Sequence, residues 1–274
     1  MQTIDLIKCD SGFHVATFPD GEKHLFLEEL DRKDEVRVVC RIKSSDDLFI
    51  LMQLADILNR QEVVVSQLDI AYLMGARCDR LFSIDRPFTL KIVAEVVNRL
   101  NARHVYIVEP HSERTLEFIK NSKSIELSDF LAHELTGGGN PIFVAPDKGA
   151  QTRYNLNFGI VCQKIRDVET GKLIDFSVHG MGPAAEGRKL YLVDDLCDGG
   201  GTFVGLAPKL RALKPKELNI IITHAIQLSG IEKLAVAYDK VVISDTFKDW
   251  APEVRHLKNV TVWNWRSNDF MRWS

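Results

Sequence analysis

The chain has 274 residues, a formal net charge of −3, 45% hydrophobic and 27% charged residues, the balance of a globular protein with room for one large or two ordinary domains. Near-neutral charge gives no bulk attraction to nucleic acid or an anionic membrane, and no apolar run approaches the ~20 residues that span a bilayer. The first residues, Met-Gln-Thr-Ile-Asp-Leu-Ile-Lys, lack a signal-peptide core, and five scattered cysteines (Cys9, Cys40, Cys78, Cys162, Cys197) form no Cys-x-x-Cys pair, so reduced thiols and a cytoplasmic location are expected.

Short apolar runs alternate with helical patterns. Residues 36–42 (Val-Arg-Val-Val-Cys-Arg-Ile) read as a buried strand. Ser44-Ser45-Asp46-Asp47 then caps a helix, with Leu48, Leu51, Leu54, Ala55 and Leu58 at helical spacing. Residues 63–65 are a strand. Pro87 opens a helix with Ile92, Val93, Val96, Val97 and Leu100 predicted on its inner face, and residues 104–108 are a strand again. Residues 120–140 are polar and end Gly-rich, which suggests a domain junction, so two domains are expected, 1–125 and 126–274. Beyond it, strands are predicted at 141–145, 158–162, 189–193, 218–223, 240–243 and 260–262, with a helix from Asp147. Strands alternating with helices imply α/β domains, each a mainly parallel sheet flanked by helices. Residues 167–187 are polar and carry five glycines or prolines among Gly171, Gly180, Gly182, Pro183 and Gly187, which suits a mobile flap. Pro208 predicts a kink or a short helix after Thr202.

Residues 190–203, Leu-Tyr-Leu-Val-Asp-Asp-Leu-Cys-Asp-Gly-Gly-Gly-Thr-Phe, carry the strongest chemical signal. An apolar strand runs into two carboxylates, a glycine triplet and a threonine. Glycines let backbone N–H groups converge on an anion with a helix N-terminus behind them. Asp194 and Asp195 would accept hydrogen bonds from sugar hydroxyls beside a phosphate held by Asp198, Gly199, Gly200, Gly201 and Thr202. No Lys-Ser/Thr follows the glycines, so the segment is not a P-loop, nor is it the Gly-x-Gly-x-x-Gly of dinucleotide folds. Cys197 reads as a small residue in a tight turn rather than a nucleophile.

This order of residues resembles the ribose-phosphate loop of the type I phosphoribosyltransferase fold. With the segments that follow, the chain resembles ribose-phosphate pyrophosphokinases, built of two tandem domains of that fold, from about residue 18 to residue 243. Phe18-Pro-Asp-Gly-Glu22 is similar to the family's adenine-binding loop, which gives Phe18, Asp20 and Glu22 an ATP-binding role and implies a homo-oligomer, dimer or hexamer, in which this loop reaches a neighbouring site. Ala76-Arg77-Cys78-Asp79-Arg80 resembles the Ala-Arg-Gln-Asp segment around the ATP phosphates, so Arg77 and Asp79 are ATP-binding candidates, with Cys78 in place of glutamine. A guanidinium suits phosphate because it donates two parallel hydrogen bonds. Val108-Glu109-Pro110-His111 resembles the Asp-Leu-His segment and places His111 by the ATP triphosphate and its metal. Pro146-Asp147-Lys148-Gly149 resembles Pro-Asp-x-Gly, giving Asp147 a place beside the ribose and its cation. Gln163-Lys164-Ile165-Arg166 resembles the start of the catalytic flexible loop, with Lys164 and Arg166 on its basic positions.

The resemblance implies attack of a ribose anomeric hydroxyl on the β-phosphorus of ATP, with AMP leaving and Mg²⁺ bound by His111 and Asp147. Lys164, Arg166 and His111 are the implied catalytic residues. Where the synthetases have Asp-Thr-Ala-Gly-Thr, this chain has Asp198-Gly-Gly-Gly-Thr202. The loop loses a phosphate donor and gains space, so two acceptors stay open: ribose 5-phosphate, or ADP-ribose as in the phage NAD-restoring branch. The basic run that follows Asp-Arg in the family is replaced by Leu81-Phe82-Ser83-Ile84-Asp85, and the aromatic residues 263–274 differ from the synthetases' longer tail, as a docking surface or as core packing. A phosphoribosyltransferase would leave residues 18–22, Arg77 and His111 unexplained. A non-catalytic regulatory homologue would be expected to lose the active residues, which are retained.

Overall fold

The computed structural model describes residues 2–8, 12–30, 34–81, 83–126, 140–167, 170 and 173–266. The chain divides into two compact units between Ile125 and Glu126. Much of the segment 120–140 and the residues after 266, for which a junction and a docking tail are expected, lie outside the described residues.

The first unit holds a five-stranded parallel sheet in the order β1 (Gln2–Asp5), β4 (Glu35–Ile42), β5 (Val64–Leu73), β6 (His104–Val108), β7 (Ser122–Ile125). An antiparallel hairpin, β2 (Phe13–Thr17) and β3 (Lys23–Leu27), is inserted between β1 and β4. Val36, Val38, Cys40 and Ile42 alternate along β4 into a core shared with Leu51, Leu54, Ala55 and Leu58 of α1 (Ser45–Arg60). That helix starts where the sequence predicts: Ser44 Oγ accepts from the Asp47 amide, and Asp47 Oδ2 accepts from the Ser44 amide, a capping box whose loss costs about 1 kcal/mol. Helix α2 (Thr89–Asn98) buries Leu90, Val93, Ala94 and Val97. Ile92, predicted on the inner face, is 53% exposed, because the apolar stripe is phased on Leu90 and runs at spacings of three and one. Residues 122–125, read as part of the junction, form edge strand β7. The short α3 (Arg114–Phe118) precedes it.

The second unit is a seven-stranded sheet in the order β10-β9-β8-β11-β12-β13-β14. These are β8 (Ile142–Ala145), β9 (Phe158–Arg166), β10 (Leu173–Gly180), β11 (Lys189–Cys197), β12 (Glu217–Ala225), β13 (Lys240–Ser244) and β14 (Val260–Trp263). All pairs are parallel except β9 with β10. Central strands β11 and β12 are buried along nearly their whole length, hence the continuous apolar runs. Helix α5 (Gly201–Arg211) packs on β10 and β12, and α6 (Leu228–Ala237) on β12 and β13. A short α4 (Lys148–Arg153) follows β8, and α7 (Ala251–Val254) precedes β14.

Two further expectations are corrected here. Helix α5 runs through Pro208 to Arg211, burying Phe203, Leu206, Ala207 and Leu210. Burial at helical spacing outweighs the one backbone hydrogen bond that proline removes. The supposed flap contains strand β10, paired with β9 and fastened to α5: Phe176 is buried against Gly205, and Lys209 Nζ holds Asp175 Oδ2 at 2.8 Å.

Candidate active site

In the second unit the chain leaves β8 for β9 on one side of the sheet and leaves β11 for β12 on the other. Neighbouring strands whose connections diverge open a crevice at their carboxyl ends, the usual ligand position in an open α/β sheet. Asp147 follows β8, and Asp194, Asp195 and the glycine loop end β11. The topology therefore brings together in one crevice two segments more than forty residues apart in sequence, Asp147 and the run from Asp194 to Thr202.

The strand runs past the acid pair to Cys197 rather than stopping before it. Asp195 is buried, and Asp194 is partly so. Both carboxylates meet one guanidinium: Arg153 Nη1 donates to Asp194 Oδ1 at 3.1 Å and to Asp195 Oδ1 at 2.5 Å. The Asp195 amide also donates to Asp194 Oδ1 at 3.0 Å. Burial, then the charge of Asp195, push the Asp194 carboxyl well above the usual carboxylate range against the pull of Arg153. Burial works against charge on Arg153, but Asp195, Tyr154 and Asp194 outweigh it and hold the guanidinium cationic. It also lies 5.7 Å from the centre of the Tyr154 ring. Arg153 has no local sequence signal. It ends a six-residue helix, and its partners lie 41 and 42 positions away.

The loop from Asp198 leads straight into α5. Gly200 caps that helix in a left-handed conformation (φ 76°) and supplies no side-chain cap, so the amides of the first turn stay available for an anion. Helices α1 and α4 are capped by Ser44 and Asp147, whereas α2, α3, α6 and α7, like α5, have no side-chain cap. The loop backbone lies directly on α6. A Cβ on Gly230 would stand 2.1 Å from Asp198 O, and one on Gly200 3.2 Å from Gly230 O. Lys233 Nζ on the same helix donates to Gly199 O at 3.2 Å. The space expected from glycine at 200 therefore faces α6, not a ligand. A Cβ on Gly201 meets nothing within 4 Å, and one on Gly199 only Gln227 Oε1 at 3.9 Å. Burial pushes the Cys197 thiol up to about 12, as suits a structural residue.

Asp147 divides its carboxylate. Oδ1 accepts from the Ala150 amide at 3.0 Å, capping α4, while Oδ2 faces Lys164 Nζ on β9 at 3.6 Å. Lys164 thus reaches the crevice from the strand opposite β11. Arg166 closes β9 two residues later.

In the first unit the ATP-side candidates sit at the carboxyl edge of the sheet and at the hairpin tip. Arg77 is exposed in the turn after β5, and Asp79 pairs with Arg80 Nε at 3.3 Å. His111 follows β6 in a turn where Glu109 (φ 37°) and His111 (φ 58°) are both left-handed, a conformation that costs about 1–3 kcal/mol and gathers at functional sites. Phe18, Asp20 and Glu22 are exposed at the tip between β2 and β3, with the Glu22 amide donating to Asp20 Oδ1 at 3.1 Å and Phe18 5.6 Å from His24.

Comparison with known proteins finds relatives along most of the chain. A ribose-phosphate pyrophosphokinase of Pyrococcus furiosus is 27% identical over 247 residues, covering 86% of each chain. One from Pasteurella multocida is 29% identical over 267 residues, covering 90% of this chain and 82% of its own. This chain is a homologue of the ribose-phosphate pyrophosphokinases. It shares its fold with the crystal structure of phosphoribosylpyrophosphate synthetase from Mycobacterium smegmatis, at a TM-score of 0.76 and 19% identity over 92% of this chain and 86% of that one. No protein-family model matches the chain. The crevice of the second unit holds this chain's acid pair and its loop of three consecutive glycines.

Proposed function

We propose that this protein transfers the β,γ-pyrophosphoryl group of ATP to the anomeric hydroxyl of a ribose 5-phosphate moiety, releasing AMP. The observation that carries it is the crevice between β8 and β11, where the paired acids, the uncapped N-terminus of α5 and Lys164 converge in a homologue of the pyrophosphokinases. Phosphate binds at the α5 amides, in the loop that Lys233 and α6 hold in place. Asp194 and Asp195 accept from the sugar diol. The anomeric oxygen then bonds to the β-phosphorus as the bridge to the α-phosphorus breaks, the bridging oxygen leaves with AMP, and the hydroxyl proton passes to water. Lys164 and Arg166 neutralise charge on the transferring group, which needs positioning and electrostatics more than covalent catalysis. Arg77 and His111 serve the ATP phosphates, and residues 18–22 the adenine of a neighbouring copy in a homo-oligomer.

Mg²⁺ fits this donor set as a phosphate-held ion. Among the described residues no group of three or more His, Cys, Asp or Glu side chains forms a protein cage. Asp147 has one oxygen committed to α4 and the other facing Lys164 Nζ at 3.6 Å in the crevice. A hard cation kept mostly by ATP oxygens and water needs only such a carboxylate. Bound there, it supplies charge neutralisation.

Ribose 5-phosphate is the acceptor that the homologues' names support. ADP-ribose is the second reading, favoured by the open faces of Gly199 and Gly201. Incubation with Mg-ATP and each acceptor in turn, following AMP, tests both. AMP with ribose 5-phosphate alone establishes the first, AMP with ADP-ribose alone the second, and AMP with neither overturns pyrophosphoryl transfer.

A further inference from the structure

We infer that Arg153 is a positioning residue for the acceptor's sugar, gathering Asp194 and Asp195 to one side so that they receive a vicinal diol. The inference rests on the reading of the crevice given above and extends it to a residue outside the motif. Asp194 and Asp195 are consecutive on a strand, and consecutive side chains leave a strand on opposite faces. Two divergent carboxylates of like charge do not bind two neighbouring hydroxyls together. In this protein one nitrogen, Arg153 Nη1, holds Oδ1 of both, at 3.1 and 2.5 Å. The guanidinium itself is fixed: it ends α4, which packs on β8, β9 and β11, and it lies against Tyr154 with only 16% of its side chain exposed. Asp147 caps the start of that same helix. The six residues of α4 thus connect the carboxylate beside Lys164 to the group that sets the diol acceptors.

The geometry makes Arg153 specific to the sugar rather than to ATP, and this can be measured. The test compares wild type, Arg153→Met and Arg153→Lys in steady-state assays with whichever acceptor the wild type uses. Calorimetric titration of acceptor without ATP and a thermal melt accompany the assays. Arg153→Met is expected to raise the acceptor KM about a hundredfold, the usual consequence of misplacing a binding group by about 1 Å, while the ATP KM stays within about twofold. Arg153→Lys, which keeps the charge but not the fork, is expected to recover about tenfold of that loss. If Arg153→Met does not melt cooperatively, Arg153→Lys decides alone through the same split between the two KM values. An acceptor KM unchanged in a folded variant, or equal rises in both KM values, overturns the assignment. A wild type that binds and turns over neither acceptor overturns the functional reading, and this inference with it.

Discussion

Gly230 is the position where a single methyl group should uncouple stability from acceptor binding. It sits buried in α6, and a Cβ there would meet Asp198 O at 2.1 Å. Ordinary contact begins at 3.4 Å, so Gly230→Ala must drive the glycine loop and α6 apart by about 1.3 Å. Overpacking of this kind costs about 1–3 kcal/mol, and alanine returns up to about 1 kcal/mol of helix propensity. The obstacle is backbone rather than the end of a flexible side chain, so the net loss of stability is about 1–2 kcal/mol. The displaced backbone, however, is the one that would hold the acceptor phosphate, and a shift of about 1 Å at a reacting centre costs about a hundredfold in rate. The expected result is a cooperative melt within a few degrees of wild type with kcat/KM for the acceptor down about a hundredfold. Steady-state AMP release at saturating ATP, alongside a thermal melt, measures both. Wild-type kcat/KM for the acceptor in Gly230→Ala would refute the claim that α6 sets the loop.

Lys164→Ala and Arg166→Ala should each lower turnover by about a hundredfold or more with circular dichroism unchanged, and near-normal turnover in both would remove them from the chemistry. Asp194 gives a pH-dependent prediction. Burial and Asp195 raise its folded pKa, so the native state keeps a proton that the unfolded chain releases near pH 4. Native stability therefore falls as pH climbs from about 4 through the raised folded value. Asp194→Asn removes that slope, so its stability relative to wild type should improve in urea melts as pH climbs from about 4 through the raised folded value, while acceptor binding is lost. A relative stability that declines with pH over this range would contradict the assignment.

What the sequence shows of this protein follows from which interactions are local. The central strands of both sheets are legible because burial on two faces leaves near-continuous apolar runs, as in β11 and β12. The start of α1 is legible because its capping box lies within four residues. Strand β7, Ser-Lys-Ser-Ile, has one neighbour and partly exposed residues, so its composition is that of a loop. Strand β10 hides for the same reason at the other sheet's edge, with glycine at its end and Phe176 buried among its described residues. The acid pair and glycine loop are contiguous and readable. Arg153, which meets both acids, and Gly230, which bears the loop, lie 41 positions before and about thirty after the residues they touch, and only the strand order brings them there.

The glycine triplet divides into two functions. At 200 the left-handed backbone strains any side chain, and a Cβ would press on Gly230 O at 3.2 Å. That glycine belongs to the packing of loop on helix, and it carries no information about the acceptor. A chain with alanine at this position would have to seat the loop differently on α6, so the Gly200–Gly230 contact is a paired feature of this protein. At 199 and 201 the Cβ directions are open. Position 199 is where the family's threonine would add a hydroxyl donor, which favours a terminal phosphate carrying nearly two charges. Under the proposed function, its absence would cost affinity for such a group and leave space for an esterified one. Discrimination between the two acceptors would then turn, under that same proposal, on Gly199 and the neighbouring Gln227, against a loop whose path Gly200 and Gly230 have already set.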